Sequence, residues 1–332
     1  MLKKINPYQK MLLLIIIAYS IFVSIVNPGF LRLQTLFDIT KTSSCSMIVA
    51  IGLLVVMISG GIDVSFMAIA LFGSYTALYI MIQAGIQSMV FGFAVSIGIG
   101  ILLGLVNAVL INWLNMPTFI ITLGTQNLFH GIMTTFISDK SFGSGVLPRT
   151  LHSFGQGTLF KVATENGATG LTVSIIPVLI AGIGTWFLLK RTMMGRGIVA
   201  LGNNPESARR AGFDPVRTRL FVYAYSGALA GMMGIIYAAQ VNALYPNKMV
   251  GDELMVVAAV VIGGTKITGG KGTVFGAVLG VLIIYLLNST LIMIGLSSSW
   301  NNLFVGVILS IAVAVTSWQE RQRNRKHLLF TD

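Results

Sequence analysis

GRGIVALGNNPESARRAGFDPVRTR, residues 195–219, is a polar, basic insert between two apolar runs, 171–189 and 220–241. The insert carries five arginines but only two acids. Because basic loops are retained on the cytoplasmic side of a membrane, we expect this insert to lie in the cytoplasm. The simplest alternative is a solvated loop whose charge only sets the topology.

The local sequence predicts a short helix inside the insert. Asn204 is a good N-cap, Pro205 suits the first helical position, and Glu206 suits the positive end of the helix dipole. Residues 208–211 favour continuation of the helix, and Gly212 is typical of the residue that ends one. We therefore predict about two turns of helix that form a docking element between two spans.

The composition predicts an all-α, polytopic membrane protein. The chain has 332 residues, of which 55% are hydrophobic and 10% charged, and its mean hydropathy is +0.85. The formal charge of +12 comes from basic residues at the ends of apolar runs, which favours a topological role over nucleic-acid binding. Cys45 is the only cysteine, so no intrachain disulfide forms, and the three scattered histidines indicate no metal site.

The apolar runs predict about ten transmembrane segments in a single domain, residues 1–332. In this topology both termini are cytoplasmic, because most of the 22 lysines and arginines then lie inside. The cytoplasmic loop covers about 191–219, and the longest polar stretch, about 138–171, is extracytoplasmic.

Glycine pairs interrupt two of the runs. The run 45–58 has about fourteen residues and stops at Gly60-Gly61, and the run 254–262 stops at Gly263-Gly264. Crossing a bilayer takes roughly 20 residues, so both runs predict short, broken segments of the kind that line a pathway; a tight turn between two spans is the alternative. The similarity of GLLVVMISGGIDVSFMAIALFGSY, 52–75, to VVAAVVIGGTKITGGKGTVFGAVLG, 256–280, indicates an internal repeat.

Polar side chains beside these runs are the candidates for a solute pathway. They are Asp63, Thr118, Thr122, Thr125, Gln126 and Asn127. The three threonines fall on one helical face, although threonines also bond to carbonyls of their own helix. An acid inside a membrane protein is a functional candidate, but the position of Asp63 near the cytoplasmic face favours a cap on the helix that follows it from Val64.

The chain shows no sign of catalysis. The glycine-rich run 264–272 fails the phosphate-loop pattern GxxxxGK[ST], since the residue six before Lys271 is Thr265 and the residue after it is Gly272. No nucleophile with a neighbouring base stands out either. We therefore predict that this chain is not an enzyme and binds no cofactor itself.

Three motifs resemble those of the permease subunits of carbohydrate-importing ABC transporters of the ribose, xylose and galactose type. In chain order they are SGGIDVS, the pair GR with the following ALGNNPESARRAGF, and GDELMVVAAVVIGGTKITGGKGT. The resemblance covers about residues 30–315. It departs at Asn203-Asn204, where the family has Gly-Asn, and at Phe66-Met67, where the family tends to have Val-Gly.

This resemblance implies that the insert is a coupling loop held by a separate cytoplasmic ATPase, which carries ATP and Mg²⁺. The residues that it assigns to ATPase coupling are Gly202, Asn204, Pro205, Glu206, Ala208, Arg209 and Gly212. It also implies an extracytoplasmic solute-binding protein, a second permease subunit and a location in the bacterial inner membrane. A monosaccharide is the expected solute, and a nucleoside or a signalling furanose would need the same polar groups.

An ion-gradient-driven transporter or channel is the alternative from another class. Repeats and broken helices suit it equally well, but membrane-embedded acids for ion coupling are almost absent. A non-transporting scaffold explains neither the paired glycines nor the ordered insert.

Overall fold

The computed structural model describes residues 7–164, 167–297, 300, 303–304, 306–307 and 310. In chain order the described helices and strands are α1 (Pro7–Val26), α2 (Leu33–Ile58), α3 (Phe66–Gln83), α4 (Met89–Leu114), α5 (Thr118–Ile132), α6 (Arg149–Gly155), β1 (Thr158–Thr164), β2 (Gly167–Thr172), α7 (Ile175–Arg191), α8 (Met193–Asn203), α9 (Pro205–Arg210), α10 (Pro215–Val241), α11 (Glu253–Ile262) and α12 (Val274–Met293). A 3₁₀ turn, Pro28–Leu31, precedes α2, and a π-helical turn, Met133–Ile137, extends α5.

Six of the described helices are long and apolar enough to cross a membrane, namely α1, α2, α3, α4, α10 and α12. The count rises to seven if α7 and α8, which meet at a bend of 77°, form one span. The protein is thus mostly helical, as predicted, while the described helices do not by themselves make up the predicted ten spans. The last predicted span, 300–318, lies largely outside the described residues, and both predicted cytoplasmic termini lie wholly outside them.

The prediction of an all-α chain is wrong in the long polar loop. Strands β1 and β2 pair there as an antiparallel hairpin, with Thr158 opposite Thr172. The ring of Phe160 contacts Phe37 of α2 edge-on at 5.8 Å between centroids. The sequence of β1, TLFKVAT, is rich in β-branched and aromatic residues that favour a strand, but a single hairpin is stable only against a packing partner, which sequence does not reveal.

Helix α2 is the centre of the bundle, and the prediction of a short segment at 45–58 is wrong. The helix has 26 residues, and 89% of its apolar window is buried inside the protein. Its first half is polar, yet the hydroxyls of Thr40, Thr42 and Ser44 donate to carbonyl oxygens three or four residues earlier, at 2.7–2.8 Å. These bonds let polar residues continue a helix into an apolar core.

Helices α4 and α10 approach each other closely through glycine. A Cβ on Gly100 or Gly104 would collide with backbone carbonyls of α10, and a Cβ on Gly227 or Gly231 would collide with those of α4. Small residues allow such backbone contact between membrane helices. Gly98, also on α4, has no such neighbour within 4 Å and takes no part in the contact.

The outer surface of the bundle is apolar. Large side chains such as Ile25, Val90, Trp113 and Phe136 are 75–80% exposed. An apolar surface of this extent is not stable in water but suits contact with lipid.

Candidate functional site

Helix α9 is the short helix predicted in the insert, and its start follows the predicted capping rules. The Asn204 side-chain oxygen accepts a hydrogen bond from the Ser207 N–H at 3.0 Å, and Pro205 occupies the first helical position. Glu206 in the first turn pairs with Arg210 at 3.3 Å. Both partners are largely exposed, so this pair adds little stability, and the cap is the main local determinant.

The end of α9 is a glycine cap. Gly212 has φ +85° and donates its N–H to the Arg209 carbonyl at 3.0 Å, and the Phe213 N–H donates to the Ala208 carbonyl at 3.0 Å. This pair of bonds defines the Schellman motif, which favours glycine because the left-handed conformation is strained for other residues.

The seven residues predicted to couple to an ATPase differ in accessibility. Asn204, Pro205, Glu206, Arg209 and Gly212 are exposed. Ala208 is 1% exposed, and Gly202 packs against backbone from other segments of the chain. A partner could therefore contact the first five, while Ala208 and Gly202 attach the helix to the bundle.

The surface around α9 is basic. Exposed arginines at this end of the bundle are Arg191, Arg196, Arg209, Arg210 and Arg217. Arg217 pairs with Asp214 at 3.3 Å, and both remain largely in solvent. The surface would be complementary to a partner that presents carboxylates.

The two glycine pairs form the same helix end. Gly60 after α2 has φ +89° and donates to the Met57 carbonyl at 3.0 Å, and Gly264 after α11 has φ +88° and donates to the Val261 carbonyl at 2.8 Å. At each end the next N–H bonds to the carbonyl five residues earlier. Both turns are therefore Schellman caps.

Helix α5 holds the first glycine turn by its predicted threonines. The Thr118 hydroxyl accepts a hydrogen bond from the Ile62 N–H at 2.8 Å, and the Thr122 hydroxyl accepts one from the Val64 N–H at 3.2 Å. These bonds satisfy backbone groups that leave the helix, which a bilayer core would otherwise penalise. Thr118 and Thr122 thus position the turn.

Asp63 lies inside the same turn. Its carboxyl accepts hydrogen bonds from the Ser65 N–H at 2.8 Å and the Ser65 hydroxyl at 2.7 Å, and Asn107 of α4 donates to that hydroxyl at 2.7 Å. Asp63 is 1% exposed and Asn107 fully buried. The prediction that Asp63 caps a helix from Val64 is wrong, because α3 begins at Phe66, its N-cap is Ser65 and no side chain caps it. Asp63 instead holds Ser65, the residue just before α3, in place.

The remaining pathway candidates lie further along α5. Thr125 donates to a carbonyl of its own helix at 3.2 Å, and Gln126 donates to the Glu253 carboxyl at 2.8 Å. Asn127 is exposed and donates to the carbonyl one turn earlier at 2.9 Å. The structure therefore brings Asp63, Thr118 and Thr122 to one turn, ties Gln126 to α11, and leaves Asn127 on the outer surface.

A cavity of about 270 Å³ lies between α2, α3, α10, α11 and α12. It touches the last residues of α10, which starts near α9, so the cavity is at the opposite end of the bundle. Its polar wall includes a hydrogen bond between Ser46 and Tyr285, and a bond from Gln240 to Ser44 at 2.8 Å. These groups bond to one another, so they mark no unmet partner for a ligand.

Three polar residues were not predicted: Asn107 and Tyr223 near the first turn, and Glu253 at the start of α11. The buried Tyr223 hydroxyl lies over the first turn, because a Cβ on Gly61 would be 2.7 Å from it. Asn107 and Glu253 interrupt or adjoin apolar runs, and that position was the signal that could have identified them. Tyr223 carries no such signal, since tyrosine is common in membrane spans.

Comparison with known proteins identifies the family. The model of the family described as "Branched-chain amino acid transport system / permease component" matches residues 35–313. The chain belongs to this permease family. The match includes both glycine turns and α9, so the fold just described is that of a transport permease.

The permease is also similar to curated proteins over most of its length. It is 31% identical to the ribose import permease protein RbsC of Escherichia coli K12 over 313 residues, which cover 92% of each chain. It is 31% identical to RbsC of Haemophilus influenzae over 311 residues, 93% of each chain. It is 31% identical to the autoinducer 2 import system permease protein LsrC of Salmonella typhi over 309 residues, 92% of this chain and 84% of LsrC. No solved structure matches the permease.

Proposed function

We propose that this permease is the membrane-spanning subunit of an ATP-driven importer of a monosaccharide or similar small polar solute. The observation that supports this most directly is α9, an exposed, capped helix with a basic surface that joins two apolar segments. Ribose and autoinducer 2 permeases align with over nine tenths of the chain, which favours a solute of that size and polarity.

In this proposal a separate cytoplasmic ATPase binds α9 and hydrolyses ATP with Mg²⁺. The five exposed residues of the predicted set, together with the arginines around them, would face a groove on the ATPase that presents acids. A solute-binding protein would deliver the solute from the other side of the bacterial inner membrane. A second permease subunit, identical or homologous, would complete the pathway.

The same proposal includes about ten membrane segments. The described segments beyond the six long helices are α5 with its π-helical turn, α7, and the ten-residue α11, which ends at a glycine turn. The apolar run 300–318 and cytoplasmic termini complete the arrangement. The identical caps after α2 and α11 support an internal repeat.

Asn127 is the pathway candidate best placed to contact solute. Its side chain is exposed on α5, whereas Asp63, Thr118 and Thr122 are engaged in the glycine turn. In the proposed dimer this face of α5 would border the pathway, and amide groups suit hydroxylated, uncharged solutes.

The first test is capture of the ATPase by the tagged permease, followed by uptake in vesicles. Wild type should copurify with a protein that carries GxxxxGK[ST] and should take up solute only with ATP. Arg209→Glu and Gly212→Trp should both lose ATPase capture and uptake while the permease remains in the membrane. The first reverses a charge on α9, and the second adds bulk at a positive φ.

Lys248→Glu is the matched control, because it reverses one exposed charge in the loop between α10 and α11, at the other end of the bundle. It should leave ATPase capture unchanged. Uptake that persists without ATP but stops with an ionophore would contradict the proposal and support the ion-gradient alternative. If uptake depends on ATP, a panel of pentoses, nucleosides and furanose signals would identify the solute.

A further inference from the structure

Three segments that are distant in the sequence meet next to the start of α9. They are the end of α2 with the first glycine turn, the last two residues of α8, and residues 269–270 of the loop after the second glycine turn. The Gly270 N–H donates to the Ile58 carbonyl at 2.8 Å, which joins the second loop to the end of α2. We call this meeting point the glycine junction, defined by Ile58, Gly60, Gly202, Gly269 and Gly270.

Gly202 lies at the centre of the glycine junction. A Cβ there would collide with the Ile58 carbonyl oxygen and lie 2.6 Å from the Gly270 nitrogen. Both obstacles are backbone atoms, so they cannot move aside as a side chain could. Gly202 thus lies directly against both partners of the hydrogen bond that joins α2 to the second loop.

Gly269 and Gly60 also pack against Gly202. A Cβ on Gly269 would lie 2.8 Å from the Gly60 Cα and 2.7 Å from the Gly202 oxygen. A Cβ on Gly60 would be 3.4 Å from the Gly202 Cα. Three backbones are therefore in mutual contact at Gly60, Gly202 and Gly269, and the Asn203 side chain packs against Gly270.

The covalent connection from this point to α9 is very short. Gly202 and Asn203 end α8, and the next residue, Asn204, is already the cap of α9. No flexible linker separates α8 from α9, so a displacement of α9 also moves Gly202.

We infer that the glycine junction transmits movement of α9 to both glycine turns at once, and that Gly202 is the positioning residue on which this transmission depends. The inference rests on the proposed function, since it requires an ATPase that moves α9. Close-packed contacts switch between discrete arrangements rather than deform gradually, so a rigid backbone contact can convert a small shift of α9 into a change at both turns.

The competing route runs from the end of α9 through Phe213 into α10. A pair of insertions separates the two routes. Two glycines between Asn203 and Asn204 would separate α9 from the glycine junction, and two glycines between Phe213 and Asp214 would separate it from α10. The second site lies between two caps that the insertion leaves intact. The first insertion keeps the Asn204 side-chain cap of α9, and an inserted glycine N–H takes the place of the Asn204 N–H that bonds to the Ala200 carbonyl at the end of α8.

The first insertion should retain ATPase capture but reduce ATP-driven uptake roughly 5- to 150-fold, the usual range for coupling between sites. The second insertion should reduce uptake much less. Equal losses, or a larger loss from the second insertion, would overturn the inference.

Gly202→Ala tests the contact itself. It should lower uptake while ATPase capture persists, because the added methyl group meets only backbone of the glycine junction. Gly184→Ala of α7 is the matched control, since no such neighbour lies within 4 Å of that position, and it should transport as wild type does. Normal uptake by Gly202→Ala would overturn the inference. If Gly202→Ala does not accumulate in the membrane, the comparison of the two insertions tests the inference instead.

Hydrogen exchange distinguishes transmission from simple structural support. In wild type, ATP bound to the captured ATPase should change exchange in peptides that cover 58–61 and 266–270, and the 203/204 insertion should abolish this change. An unchanged exchange pattern in wild type would overturn the inference. Failure of wild type to capture any ATPase would instead contradict the proposed function, and the two failures are thus distinguishable.

Discussion

The two glycine turns share one cap but differ in what surrounds it. The first turn, 59–65, is held by side chains: threonine hydroxyls of α5, the Asp63 carboxyl and the Tyr223 hydroxyl. The second turn, 263–273, adds close backbone packing: Gly263 packs against Gly276 of α12, and its loop reaches Ile58. Side chains of α1 also hold it, since the Tyr8 hydroxyl donates to the Ile262 carbonyl at 2.9 Å. The comparison shows that an identical local motif can be stabilised by side-chain hydrogen bonds in one half of a protein and by side chains together with close backbone packing in the other.

The largest expected effect comes from exchanging the residues at the equivalent helix ends, Ser59 and Gly263. Gly263→Ser should destabilise the permease by about 3 kcal/mol, since its Cβ would collide with the Gly276 carbonyl. Ser59→Gly should cost about 1 kcal/mol, because it removes only a hydroxyl that donates to the Val56 carbonyl at 2.7 Å. Melting temperatures in detergent would measure both, and equal shifts would remove the proposed difference between the turns.

The next effect concerns the third residue after each cap glycine, Asp63 in the first turn and Ile267 in the second. Asp63→Ala should destabilise by about 2 kcal/mol, because the Ser65 N–H and hydroxyl lose their buried acceptor. Ile267 is 39% exposed, so Ile267→Ala should cost less than about 1 kcal/mol. Thermal unfolding followed by size-exclusion chromatography is the measurement. A greater loss from Ile267→Ala would contradict the expectation that this side chain contributes little to the second turn.

A smaller effect is expected from Thr118→Val on α5. The substitution keeps the shape of the side chain but leaves the Ile62 N–H without its acceptor at 2.8 Å, at a cost of about 1.5 kcal/mol. Thr125→Val is the control, since the Thr125 hydroxyl only donates to a carbonyl of its own helix, and it should change stability by less than about 0.5 kcal/mol. Indistinguishable melting temperatures for the two variants would mean that α5 does not hold the turn.

The smallest effect, of opposite sign, is expected in the second turn. Thr265 is 2% exposed, and its hydroxyl has no hydrogen-bond partner among the described residues. Thr265→Val should therefore leave stability unchanged or raise it by up to about 1 kcal/mol. A clear fall in the melting temperature would show that this hydroxyl is bonded in the assembled protein.

Local rules were sufficient for α9. Its cap, its first proline and its terminal glycine act within a few residues of one another, so Asn204, Pro205 and Gly212 predicted both ends correctly. The apolar pattern failed at the start of α2, because it predicted a segment from residue 45 whereas the helix begins at Leu33. The hydroxyls of the polar residues there bond within the helix, and burial by the surrounding helices stabilises it.

The candidate site was predictable only in part. Thr118, Thr122 and Asp63 were chosen as residues lining a solute pathway, a role that stays a prediction, and their bonds within the first turn depend on how α5 packs. The glycine junction was not predicted at all. Its members lie at 58–60, 202 and 269–270, and only the folded bundle brings them together.

The sequence by itself determined that this is a helical membrane protein, where α9 begins and ends, and where α2 and α11 stop. Gly60, Gly212 and Gly264 are glycines for a local reason, since each ends a helix at a positive φ that other residues adopt only with strain. Gly202 lies within a helix and is required because backbone from distant segments occupies the space of a side chain. That reason exists only in the tertiary structure, because close approach is a property of packed segments and not of one segment's own conformation.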